Sequence, residues 1–94
     1  MPFLTSRKRF PDLSQQEVMA LAIASEEDDA RIYRNWAAFL RVDYPDSAAV
    51  FEGMAVEEDG HRRALLDAYQ DRWGAAMPVI RREHVAGYLS RRPA

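Results

Sequence analysis

A short turn between two long helical stretches constrains this chain most. From Ser14 to about Val42 there is neither glycine nor proline. Asp43-Tyr44-Pro45-Asp46 follows, with Pro45 expected to end the first helix and Asp46 or Ser47 to cap the second. The second helix is expected from about Ala48 to Trp73, where Gly74 stops it. Helices joined by so short a connection lie antiparallel as a hairpin. The first helix also has a defined start. Ser14 stands three residues before Glu17 as a capping box, and Leu13 with Val18 can form a hydrophobic staple.

The rest divides around that hairpin. Residues 1–13 contain Pro2 and Pro11, have no period and are expected to be an arm. Residues 14–90 form the helical domain, with a loop over Gly74–Pro78 and a short amphipathic helix over Val79–Leu89. Residues 91–94 are a basic tail or linker. The expected fold class is therefore all-α, and no repeat is present. At 94 residues the chain holds one small domain. A net charge of -2 argues against nucleic acid as a main partner. The longest apolar run, Met19–Ala24, is too short to span a membrane, and the first residues lack the apolar core of a signal peptide. A cytoplasmic location is expected.

Two apolar seams run along the hairpin, and both are interrupted. On the first helix Met19, Ile23, Ala30, Tyr33, Ala37 and Leu40 recur at alternating spacings of four and three, with Glu26 in the place of a hydrophobe. On the second, Phe51, Met54, Leu65 and Ala68 continue one face on which Glu58 and His61 take two of the positions. Folding the hairpin at its turn brings the interruptions together. The midpoint between Glu26 and His61 falls between Asp43 and Tyr44, so the two side chains stand at nearly one height, with Glu58 about a turn away. An ionised carboxylate in an apolar seam is costly unless something positive pairs with it. A metal ion is the leading candidate. Without cysteine, its ligands are oxygens and imidazole, which suit iron, manganese or zinc. Glu27 and Glu57 flank the seams as further candidate ligands or as plain surface. Tyr33, one heptad after Glu26, is a core residue or a hydrogen-bond partner of a ligand carboxylate. Gly60 weakens the helix beside His61 and either permits a close approach or a bulge, or is incidental. Trp36 and Trp73 are expected to anchor packing. His84 beside Glu83 is expected on the surface, and Glu26-Glu27-Asp28-Asp29, taken alone, would be a solvated acidic face.

Neither seam can be buried by a hairpin alone, and the third helix is too short to cover both. Pairing of two copies into a four-helix bundle resolves this. The core of such a homodimer holds two copies of Glu26 and two of Glu58-x-x-His61, which matches the carboxylate pattern of di-iron helical bundles.

On these residues the chain resembles the ferritin-like superfamily, and its rubrerythrin (erythrin) branch in particular. Glu26-Glu27-Asp28-Asp29-Ala30-Arg31-Ile32-Tyr33 is similar to that branch's first motif, a ligand glutamate followed seven residues later by tyrosine. Val56-Glu57-Glu58-Asp59-Gly60-His61 is similar to its second. The resemblance covers roughly residues 14–90. Within the branch it points to the N-terminal ferritin-like domain of bacterial membrane-bound ferritins, the erythrin–vacuolar iron transporter family, and next to encapsulated ferritins. A second Glu and Glu-x-x-His pair is missing from the chain. It lies downstream in a longer parent, or a second chain replaces it. The resemblance implies a ferroxidase-type oxidoreductase or iron-handling domain in which Glu26 bridges two irons and Glu58 and His61 complete their coordination. Electron transfer through a rubredoxin-like cysteine module is not expected. Two other expectations stand beside it: a redox-silent zinc, manganese or iron-sensing module feeding a fused membrane transporter, and a plain dimerisation hairpin. Assembly beyond a dimer is open.

Overall fold

Ser14 starts the first helix as expected. Its hydroxyl accepts from the Glu17 backbone N–H at 3.1 Å, while its own N–H donates to the Glu17 carboxylate at 2.9 Å. In the computed structural model, which describes residues 8–86, α1 then spans Gln15–Leu40 and α2 spans Pro45–Trp73. The two helices are antiparallel neighbours, as the short connection requires. Pro45 plays a different part from the one expected. It is the first residue of α2 rather than the terminator of α1, and Tyr44 takes the cap position without a side-chain cap. Proline suits that place because its missing N–H would have no helical partner there. Gly74 ends α2 at φ 82°, a conformation that favours glycine.

The C-terminal segment departs from the expected amphipathic helix over Val79–Leu89. Within the described residues it is an irregular run containing one 3-10 turn, Arg82–His84, and then the short strand Val85–Ala86. That strand (β2) pairs in parallel with Lys8–Arg9 (β1), so part of the arm is also structured, with a second 3-10 turn at Phe10–Asp12. Apart from this two-residue ladder the regular secondary structure of the described residues is helical. The far end of the expected helix, the basic tail and the 91–94 boundary lie outside the described residues.

The segment forgoes a helix because α1 offers it stronger partners. Asp28 is buried and pairs with Arg31 at 3.0 Å and with Arg81, while Arg82 pairs with Asp29 at 2.7 Å. Half of the acidic run read as solvated is therefore the anchor for a strap. Beneath the strap lies the main core, where Ala20, Leu21 and Ile23 of α1 meet Tyr69 of α2 and Ile80 and Val85 of the strap. Tyr69 is 0% exposed, and its hydroxyl is fully used: it accepts from Gln16 Nε2 at 2.8 Å and donates to the Ala76 carbonyl at 2.8 Å. Trp73 packs on Tyr69 at a ring distance of 5.0 Å, as an anchor should.

Toward the turn the packing changes. The buried residues there are Ala30, Ala37, Ala48 and Ala55. The α1 seam holds as expected, with every member at least half-buried. The α2 seam does not. Its buried row is Ala48, Ala55 and Tyr69, whereas Phe51, Met54 and Leu65 are half-buried and His61 and Ala68 are exposed. The expected α2 face is thus turned partly outward along one flank of the hairpin.

Candidate metal centre

The site grows from three side chains on two helices. Glu58 and His61 share a face of α2 because three residues separate them. The hairpin then sets Glu26 of α1 opposite. His61 Nδ1 lies 3.0 Å from Glu58 Oε1 and 3.9 Å from Glu26 Oε1. One potential ligand atom from each residue falls within 4.8 Å of the others. The equal heights expected from the turn position are therefore present in the structure.

The electrostatics are those of a site short of positive charge. Glu26 Oε1 is buried and has no hydrogen-bond partner. Burial first, and the Glu58 carboxyl beside it second, push the Glu26 pKa up to about 7, against a smaller opposing influence of His61. Buried polar atoms are almost always satisfied, so an orphaned carboxylate oxygen calls for a partner. The donor set of two carboxylates and one imidazole fits a divalent cation of the iron, manganese or zinc kind. The side chain of His61 is 64% exposed, which leaves the cluster open on the outward flank.

The other candidates separate from this group. Glu27 and Glu57 are exposed and do not join it. Glu26 and Glu27 lie about 100° apart around α1, which sends them to different flanks. Tyr33 is in an aromatic cluster, stacked on Phe51 at 6.2 Å and edge-on to Trp36 at 6.0 Å, and Trp36 meets Phe51 at 5.2 Å. No hydrogen bond joins its hydroxyl to Glu26 or Glu58. Trp36 does pack, but remains 50% exposed. Gly60 faces open space, so no close approach within the chain explains it. His84 is exposed, as expected.

The two flanks of the hairpin differ in kind. On the Glu27 side, Arg34 hydrogen-bonds Asp59 and Arg41 hydrogen-bonds Glu52, tying α1 to α2 with exposed ion pairs. On the Glu26 side, Phe51, Met54 and Leu65 continue the site as a half-open apolar strip. The residues that sequence reasoning missed are Asp28, Arg81 and Arg82, whose one sequence signal is the acidic doublet 28–29 answered by the basic doublet 81–82.

The family model described as Rubrerythrin matches residues 17–94. No curated protein and no solved structure matches the chain.

Proposed function

The chain belongs to the rubrerythrin family, and from that premise we propose that it is a di-iron ferroxidase or iron-handling domain whose centre is shared between two copies. Domains of this family are of the di-iron carboxylate type and are associated with oxidoreductases. The observation that carries the reading is the buried, unpartnered Glu26 Oε1 facing Glu58 and His61. Glu26, Glu58 and His61 would hold the iron, and their carboxylate oxygens and imidazole would supply the ligand set for its oxidation. Ferrous ions bound there would give up electrons to oxygen or peroxide and become ferric.

The residues prepare the site in three ways. Glu58 holds the imidazole through Nδ1 at 3.0 Å, which fixes the ring beside the carboxylates. Glu26, with its pKa raised to about 7, holds its proton below neutrality in the absence of a cation, so cation binding there displaces that proton. The hard carboxylate oxygens favour the ferric product, and cations in turn relieve the repulsion between the two glutamates.

One chain supplies half of a two-metal set, which in bundles of this class draws a Glu from each of two helices and a Glu-x-x-His from each of two others. A second copy supplies the rest. The half-open strip of Phe51, Met54 and Leu65 and the exposed face of His61 are what that copy covers. No described helix is long and apolar enough to cross a membrane. The test is Fe(II) oxidation under air. The parent should develop ferric absorbance at about two irons per pair of chains. If the double variant Glu58→Ala, His61→Ala oxidises iron as fast as the parent, the reading fails.

A further inference from the structure

On the flank opposite Phe51, a groove of about 420 Å³ is lined by Glu27, Arg31, Arg34 and Asn35 of α1 and by Asp59 and Arg62 of α2. Arg62 is its most telling member. Ala48, Ala55 and Tyr69 stand on one seven-residue repeat, seven and fourteen residues apart, and are buried between the elements of the fold. Arg62 is the remaining member of that row, where the pattern asks for a hydrophobe. It is half-buried, and the carboxylate that acts on it, Asp59, is already hydrogen-bonded to Arg34. The other arginines are held in place: Arg31 pairs with Asp28 at 3.0 Å, and Arg34 hydrogen-bonds Asp59. Three guanidiniums line the groove beside the carboxylates of Glu27 and Asp59, while Asp28 engages Arg31 from outside the lining.

We propose that this groove binds a small dianionic oxyanion of the phosphate class, gripped by Arg31, Arg34 and Arg62 with the Asn35 amide as a further donor. The planar guanidinium fork matches phosphate oxygens two at a time, and charge-assisted bonds of this kind are the strong ones. The volume falls in the range of small-molecule sites. Arg62 gains a direct anionic partner, where Asp59 acts on it only from beyond ion-pair distance. Asp59 works against the ligand, because its carboxylate occupies Arg34 and repels a dianion.

Inorganic phosphate titrated into the metal-free full chain, followed by calorimetry and by NMR of the arginine side chains, tests this without reference to iron. Saturable binding is expected, with shifts centred on Arg31, Arg34 and Arg62. Arg62→Gln should weaken binding at least about tenfold, the loss of one charge-assisted hydrogen bond. Asp59→Asn should tighten it severalfold, an opposite sign that a merely structural role would not produce. Circular dichroism checks the fold of each variant, and Arg31→Gln replaces Arg62→Gln if the latter unfolds. Phosphate that fails to saturate, or an affinity that neither substitution moves, overturns the proposal. So does binding to phosphatidic acid vesicles with none to free phosphate. Loss of iron oxidation, by contrast, would leave this result intact.

Discussion

At the end of the hairpin away from the turn, Leu21, Ile23 and Tyr69 are closed over by Ile80 and Val85, and the strap is tied to α1 through Asp28 and Arg81. At the turn end, alanines alone are buried between the helices, while Trp36 is 50% and Phe39 86% exposed. The first half carries its own core. The second half keeps large apolar side chains in water, although the same two helices build both. The difference lies in the strap, which is long enough to cover only one half. The glutamates and His61 sit near the boundary, closed toward the core and open outward. The strapped half thus supplies the packing that holds the fold, while the glutamates and His61 stay open on the outward flank.

The largest effect is expected from Tyr69→Ala. Removing a fully buried aromatic should cost about 3–5 kcal/mol and unfold both halves together in urea. An equal loss from Trp36→Ala would show that the halves do not differ. Next comes Asp28→Asn, which takes from Arg31 and Arg81 the buried carboxylate they share and should cost about 2–3 kcal/mol. Its pH signature is specific. Burial alone would raise the Asp28 pKa, but Arg31 and Arg81 outweigh it and hold the carboxyl below its ordinary 3.8. The folded state therefore binds that proton more weakly than the unfolded state. The contribution is complete above about pH 4 and is lost as pH falls through the folded value, so Asp28→Asn should flatten the acid limb of the melting curve.

On the turn side, Trp36→Ala should leave the fold in place and weaken self-association by about 2 kcal/mol, some thirtyfold in Kd by sedimentation. An unchanged Kd would remove the open strip as an interface. Glu26 sharpens the boundary. Between its ordinary 4.5 and about 7 the folded chain keeps a proton that the unfolded chain has released. Metal-free stability should therefore fall by about 1–2 kcal/mol as pH rises through that window, and Glu26→Gln should abolish the slope. A slope of the other sign would mean that Glu26 is already paired with a cation. The smallest effect belongs to Arg41→Ala. Its partner Glu52 is half exposed, so the loss should be no more than about 0.5 kcal/mol by thermal melting.

The legible parts of the fold are those that depend on neighbours in the chain. Ser14 with Glu17, Gly74 and the four-and-three spacing from Met19 to Leu40 each act within a few residues, and the structure keeps them. The meeting of Glu26 with Glu58 and His61 was legible for a related reason: a rigid hairpin with a short turn fixes height by counting from that turn. The rotation of α2 was not. Phe51 and Leu65 have the same spacing as a core seam, and nothing local shows that Ala48, Ala55 and Tyr69 lie closer to α1.

What the amino-acid order determined alone is the pair of helices, their antiparallel sense and the level at which two carboxylates and an imidazole interrupt apolar seams. Tertiary structure decided the rest. Residues 79–86 are a strap rather than a helix because Asp28 and Asp29, more than fifty residues earlier in the chain, offer Arg81 and Arg82 charge partners. Such partners act through space, and helical periodicity carries no record of them. Which flank stays open was decided the same way, by Arg34 and Arg41 reaching across to Asp59 and Glu52 on one side while the other was left to Phe51 and Leu65.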